Sequence, residues 1–180
     1  MSEYPFTSAL VTGASSGIGA EMVRLLGEAG IPTVLVARRG DRLRAIAERY
    51  DACEVIEADL GTDAGRALAV ERIASTEAPI DLVVNNAGFG TSGRFHELDV
   101  DRLGREIDLN ITALTVLSHA ALHAMVPRGR GYLLNVSSVA GFQATPGLGV
   151  YAATKSYVTS LSEALHAEVK DRGVHVTALC

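Results

Sequence analysis

At 180 residues the chain has room for one hydrophobic core and is short for two, since domains run roughly 100–200 residues. Apolar residues make up 48% and charged residues 21% of the composition, which excludes a disordered or fibrous chain. The formal net charge of −5 leaves no basic footprint for nucleic acid.

The start, Met1 to Pro5, has neither a basic segment nor an apolar one, and no uninterrupted apolar run approaches the 18 or so residues of a membrane span. A cytoplasmic protein with no membrane partner is expected. Cys53 and Cys180 are isolated and lack CxxC spacing, so neither is a site candidate.

The first strand is expected at Ser8–Val11. It runs into Thr12-Gly13-Ala14-Ser15-Ser16-Gly17-Ile18-Gly19, and a helix, Ile18–Ala29, starts inside that turn and stops at Gly30 and Pro32. A strand, a glycine turn and a helix N-terminus together aim backbone N–H groups and a positive dipole end at one spot, where an anion can sit. Glycine is needed there because a Cβ would block the close approach of a pyrophosphate. Gly13, Ser15, Ser16, Gly17, Ile18 and Gly19 are therefore candidate cofactor contacts. The same letters fit G-x-S-x-G, the nucleophile elbow of an α/β-hydrolase with Ser15 as nucleophile. Against that stands the single strand before Ser15, which leaves no earlier loop for an oxyanion hole, and His166 and His175 fall inside a helix and at a strand start.

The second strand, Thr33–Ala37, ends on Arg38 and Arg39, and no acidic residue follows before Asp41. An acid at this position would bond the ribose hydroxyls of NAD, whereas a guanidinium forks onto the extra phosphate of NADP. NADP(H) is favoured over NAD(H), although two arginines also fit a solvated helix start.

Further strands are expected at Cys53–Glu57, Leu82–Asn85, Tyr132–Val136 and Val174–Leu179, with helices at Arg42–Tyr50, Ala64–Ser75, Asn110–Met125 and Val150–Lys170. The alternation predicts an α/β fold, a Rossmann-like doubly wound parallel sheet of order 3-2-1-4-5-6 with helices on both faces. Asn110–Met125 is apolar all round, and a sheet covers only one side of a helix. Its other side, with residues 150–170, is expected to meet a second subunit in a homodimer or homotetramer.

Tyr151 and Lys155 lie four apart at the start of the last helix, hence on one face. Bringing a phenol from about 10 to about 7 takes about 4 kcal/mol at about 1.36 per unit. A charge about 4 Å away supplies about 4 kcal/mol at an effective dielectric near 20, so a general acid–base tyrosine is permitted. Of the 16 basic residues only Lys155 and Lys170 are lysine, in a chain that otherwise uses arginine. His119 and His123 are also four apart, but Ala120 stands where a metalloprotease helix needs Glu, and no metal site is expected.

With Asp59-Leu60, Asn85-Asn86-Ala87-Gly88 and Asn135-Val-Ser-Ser-Val-Ala-Gly141 added, the chain from Ser8 to Cys180 resembles the single-domain short-chain dehydrogenase/reductase family. The resemblance implies that Asp59 and Leu60 contact the adenine and that Asn86, Ala87 and Gly88 line the cofactor cleft. It also implies that Asn110, Ser138, Tyr151 and Lys155 form the active site of an oxidoreductase interconverting a carbonyl and an alcohol. In that scheme Tyr151 protonates the oxygen, Ser138 hydrogen-bonds it, Lys155 lowers the tyrosine pKa and binds ribose, and Asn110 anchors a water. Taken singly, Asn110 also fits a helix N-cap, Ser138 a turn former and Asp59 a loop start. Ser16 stands where some NADP-using relatives carry a basic residue.

Phe89, His96, Phe142 and Leu148 are candidates for the substrate wall. The alternative is a module that binds NADP(H) as a sensor without turnover. Members of the resembled family continue past the sixth strand with a Pro-Gly turn, a seventh strand and a substrate-covering segment. The expectation is therefore that residues 1–180 are one dinucleotide-binding and catalytic domain, cut short at its C-terminal end.

Overall fold

A computed structural model describes residues 4–180. Six parallel strands form one sheet in the order β3-β2-β1-β4-β5-β6, as the alternation predicts. They are β1 (Ala9–Thr12), β2 (Thr33–Ala37), β3 (Cys53–Glu57), β4 (Leu82–Asn85), β5 (Gly131–Val136) and β6 (Val174–Leu179). The helices are α1 (Gly17–Glu28), α2 (Gly40–Ala47), α3 (Asp63–Ala74), α4 (Val100–Ile107), α5 (Leu114–Met125) and α6 (Gly149–Val169).

Successive strand residues feed opposite layers. Leu10, Val34, Val36, Val83, Leu133 and Val176 join Ile73, Leu117, Ala121 and Met125 in one core, while Ala9, Val11, Leu35 and Val84 join Val23, Leu26 and Leu43 in the other. The cover is not equal on the two faces. β6 alternates between buried Val174 and Val176 and exposed His175 and Thr177, and Tyr132 and Leu134 of β5 are only half-buried, so burial on both faces holds for β1, β2 and β4 but not here.

The helix expected at Asn110–Met125 is the second half of a longer helical run. α4 and α5 are joined through a π-helical turn, Asp108–Ala113. α4 was not expected, because only Val100, Leu103 and Ile107 are apolar in a stretch interrupted by Gly104. Its N-cap was the available signal: Asp99 accepts a hydrogen bond from the Asp101 N–H at 3.0 Å. Much of the apolar surface of α5 is covered within this chain, since Leu117, Ala120, Ala121 and Met125 are buried in the core that also takes in Ala69 and Ile73 of α3, while Val116 is exposed. Its all-round apolarity therefore does not by itself require a second subunit. No uninterrupted apolar run is present, but Val100–Arg128 contains an 18-residue window of mean hydropathy 1.4, enough by length and composition to cross a bilayer; 44% of that window is buried inside the protein.

Glu106 of α4 is fully buried, and neither carboxylate oxygen has a hydrogen-bond partner among the described residues. A buried polar group without partners costs about 1–3 kcal/mol on the scale of protein substitutions. Glu106→Met, which keeps the volume and removes that cost, should raise the urea midpoint of unfolding by an amount corresponding to about 1–3 kcal/mol. A lower midpoint would show that the carboxylate is stabilised in place.

Candidate functional site

The winding of the sheet reverses between β1 and β4, so the helices leaving these neighbouring strands depart to opposite sides and a crevice opens at their carboxyl ends. Thr12, the last residue of β1, holds the floor of that crevice together. Its hydroxyl donates to the Val84 carbonyl and accepts from the N–H groups of Asn86 and Ala87 at 2.9 and 3.0 Å. The Asn86 side-chain amide donates in return to the Thr12 carbonyl at 2.9 Å. Thr12 entered the sequence reading only as part of the turn; its buried hydroxyl does the cross-linking.

The turn itself follows the expected logic. Gly13 has φ +67°, and a Cβ there would stand 2.8 Å from Asn86 Nδ2 and 3.0 Å from the Ala87 Cα. A Cβ on Gly19 would lie 2.5 Å from both Asn86 Nδ2 and the Gly13 carbonyl oxygen. Gly19 is thus required for packing α1 against the turn rather than for lining the crevice. Ser16 is the N-cap of α1 but makes no side-chain capping bond. Its hydroxyl accepts from Arg39 at 2.7 Å, as does that of Ser15 at 2.9 Å, so Arg39 spans from the end of β2 to the glycine turn. Ser15 has no imidazole among these partners, and the hydrolase triad is not assembled around it. Arg38 is exposed at the same corner and enters no hydrogen bond or ion pair among the described residues.

A cleft of about 540 Å³ runs along the carboxyl ends of the strands. Gly13, Ser15, Ser16, Gly17, Ile18, Arg38, Arg39, Asp59, Leu60, Asn86, Ala87, Gly88, Tyr151 and Lys155 all line it. Gly19, Asn110 and Ser138 do not. Ser137 lines it in place of Ser138; its hydroxyl donates to the Lys155 carbonyl at 2.9 Å and ties the end of β5 to α6. The Ser138 hydroxyl, half-buried, accepts from the Ala140 N–H and caps a short 3-10 turn, Val139–Phe142. Of the proposed substrate wall, Phe89 and Leu148 line the cleft, Phe142 lines a separate cavity of about 650 Å³, and His96 is exposed beside Glu97.

Asn110 sits in the π-helical turn, where one extra residue per turn rotates a side chain out of the α-helical stagger. It is buried one layer behind the cleft. Its Oδ1 accepts from the Phe89 N–H at 3.1 Å, and its Nδ2 donates to the Phe89 carbonyl at 2.8 Å and to Thr154 Oγ1 at 3.1 Å. Thr154 in turn donates to the Tyr151 carbonyl at 2.8 Å, so a hydrogen-bonded chain runs from the segment after β4 to the first turn of α6. Asn110 is not a helix N-cap. Thr154, which sequence reasoning passed over, is the link between it and Tyr151.

Lys155 is 6% exposed, and its Nζ donates to the Val136 carbonyl at 2.7 Å and lies 5.7 Å from the centre of the Tyr151 ring. Burial pushes its pKa below the ordinary 10.5. A lowered pKa means that the folded chain gives up this proton before the unfolded chain does, so stability gains with pH across the interval between the two values. Relative to Lys155→Met, wild-type stability should therefore climb from the folded-state pKa up to pH 10.5, as read by thermal unfolding over a pH series. Parallel curves for the two proteins would contradict the buried ammonium.

The arrangement is that of a nucleotide site. A glycine cradle that a Cβ would fill, a helix N-terminus, two arginines at the far corner and a tyrosine–lysine pair share one cleft. Comparisons with known proteins agree. A family model described as short chain dehydrogenase matches residues 7–180. An uncharacterised oxidoreductase of Myxococcus xanthus is 36% identical over 183 aligned positions, covering 99% of this chain and 72% of that protein. Among solved structures, a short-chain dehydrogenase from Sphingobium yanoikuyae in complex with NADPH is 40% identical, with a TM-score of 0.89 over 95% of this chain and 69% of that one. The bulky-bulky ketone specific alcohol dehydrogenase of Comamonas testosteroni is 36% identical, with a TM-score of 0.90 over 96% of this chain and 71% of that one.

Proposed function

This chain belongs to the short-chain dehydrogenase/reductase family of oxidoreductases, and we propose that it interconverts a carbonyl and an alcohol with NADP(H) as its cofactor. The observation that carries the reading is the pairing of Tyr151 with buried Lys155 in the same cleft as the glycine turn and the two arginines. The Sphingobium relative, with its NADPH, supports the cofactor.

Gly13, Ser15, Ser16, Gly17 and Ile18 would hold the pyrophosphate, Asp59 and Leu60 the adenosine side, and Asn86, Ala87, Gly88, Tyr151 and Lys155 the nicotinamide end. Arg38 would take the 2′-phosphate; Arg39 joins it by exchanging the serine hydroxyls for phosphate oxygens, a stronger charge-assisted bond. When bound, the cofactor supplies or accepts the hydride. Tyr151 gives its phenolic proton to the carbonyl oxygen in the reducing direction and takes it back in the oxidising one. The Lys155 ammonium favours the phenolate that forms, and because it is buried its field is little screened. The Ser138 hydroxyl, which accepts from the Ala140 N–H, keeps its own proton to donate to the oxygen. Asn110 acts from behind, fixing both Phe89 and, through Thr154, the first turn of α6. The protein works without a metal in this reading, from the cytoplasm, as a homodimer or homotetramer formed through residues 110–125 and 150–170; Val116 leaves 37% of its surface free for that contact.

Purified protein with NADPH and a panel of ketones and aldehydes should consume NADPH, and Tyr151→Phe should lower kcat by about 10²–10⁴-fold while leaving NADPH binding in place. Binding of NADPH with no turnover on any carbonyl would instead leave a cofactor sensor. For the cofactor corner, Arg38→Ala should weaken NADPH binding by about 10–100-fold, in line with about 1.5–3 kcal/mol for one bond to a charged group, and spare NADH. Equal wild-type affinity for the two cofactors would overturn the assignment of Arg38.

A further inference from the structure

Between the end of β4 at Asn85 and the short 3-10 turn that starts at Phe95, the chain has no regular structure of its own. Even so, Gly88, Phe89, Gly90 and Ser92 of this segment form one wall of the cleft. That wall stands directly against Tyr151: a Cβ added to Gly90 would be 2.9 Å from the tyrosine Cδ2. An irregular segment loses its position unless side chains anchor it, because each ordered residue costs about 1–2 kcal/mol of conformational entropy.

Asn110 anchors it from the inside, but only through the Phe89 backbone. Nothing in that pair of bonds fixes the Phe89 ring. The ring and the residues beyond it are held from the outside by Arg102 of α4. The Arg102 guanidinium carbon lies 5.2 Å from the Phe89 ring centre, and its Nε donates to Thr91 Oγ1 at 3.1 Å. Thr91 is buried, so this bond reaches into the segment rather than resting on its surface. Arg102 itself is exposed and lines neither cavity.

We propose that Arg102 is a positioning residue that sets substrate selectivity: its guanidinium holds the Phe89 ring and, through Thr91, the 88–92 segment as a fixed wall beside Tyr151, so the cleft discriminates among carbonyl substrates by the bulk of the group that meets Phe89. This rests on the carbonyl–alcohol reading above. Only arginine fits the task. A planar guanidinium stacks on a ring and bonds sideways through Nε at once, whereas a lysine ammonium is a point charge that must choose.

The test compares wild type with Arg102→Met, Arg102→Lys, Thr91→Val and Phe89→Leu on a series of ketones running from a methyl ketone to a bulky aryl ketone. Loss of the ring contact and of the bond together should compress the ratio of kcat/KM between the two ends of the series by about tenfold, mainly through KM, and leave the NADPH dissociation constant unchanged. Arg102→Lys should fall between wild type and Arg102→Met. The effects of Arg102→Met and Phe89→Leu should be less than additive, because each removes the same contact. A merely structural role would shift the melting temperature and all substrates alike, and that result overturns the proposal. Hydrogen exchange of the amides of residues 88–93 reads the clamp without turnover: faster exchange in Arg102→Met supports it, and wild-type exchange overturns it. If the wild type reduces no carbonyl while exchange responds to Arg102→Met, the clamp stands and the catalytic reading fails alone.

Discussion

Everything in the site depends on the reversal of winding between β1 and β4. Two neighbouring parallel strands send their connections to opposite faces, so no helix can close the space above their carboxyl ends. Left open, that space would expose backbone groups without partners. The chain fills it with polar side chains of its own: the Thr12 hydroxyl makes three bonds, to the Val84 carbonyl and from the Asn86 and Ala87 N–H groups, the Asn86 side-chain amide donates a fourth to the Thr12 carbonyl, and what remains is a crevice with a fixed floor. The glycines follow from this, since Gly13 and Gly19 lie so close to Asn86 that neither has room for a side chain.

The second half of the site is placed by helices rather than strands. α6 carries both Tyr151 and Lys155, and its first turns are tied down at three points: Thr154 to Asn110, the Lys155 carbonyl to Ser137, and the Lys155 ammonium to the Val136 carbonyl. Burying an ammonium costs stability, and a single carbonyl only partly compensates. The strain is local and has a use: a charge kept out of water acts on its neighbours at low dielectric. The π-helical turn is part of the same economy of position, because a regular helix from Val100 to Met125 would turn Asn110 away from Phe89.

Around this core the sheet is covered unevenly. The face that carries α3 and α5 buries Leu10, Val34, Val36, Val83, Leu133, Val174 and Val176, while β5 and β6 present Tyr132, Leu134, His175 and Thr177 on the other face at half or full exposure. Tyr132 and His175 stack on one another there, with ring centres 5.1 Å apart. Exposed alternate residues on a parallel strand depart from the doubly covered pattern that β1, β2 and β4 follow.

Much of this was legible in the residues. The strands at Thr33–Ala37, Cys53–Glu57, Leu82–Asn85 and Val174–Leu179 have the expected bounds, because short β-branched runs between glycine and helix signals leave few alternatives. The glycine turn, Arg38 and Arg39, and the Tyr151–Lys155 spacing were legible for the same reason: each is a local pattern whose geometry follows from the backbone. What the sequence could not decide is what lies across from what. α5 is apolar all round, and its sequence could not say how much of that surface meets α3 of this chain, which packs on Leu117 and Ala121, and how much stays open, as Val116 does. His96 and Phe142 stood near motif residues in sequence and lie outside the cleft in space, while Thr12, Ser137 and Thr154, which lie inside the motifs without a role of their own there, cross-link the site, and Arg102, outside every motif, bonds to Thr91. Local patterns are fixed by bonded geometry and periodicity within a few residues. The partners of a hydroxyl or a guanidinium are chosen only when strands and helices distant in sequence come within 3 Å or so of each other, and that choice belongs to the tertiary structure.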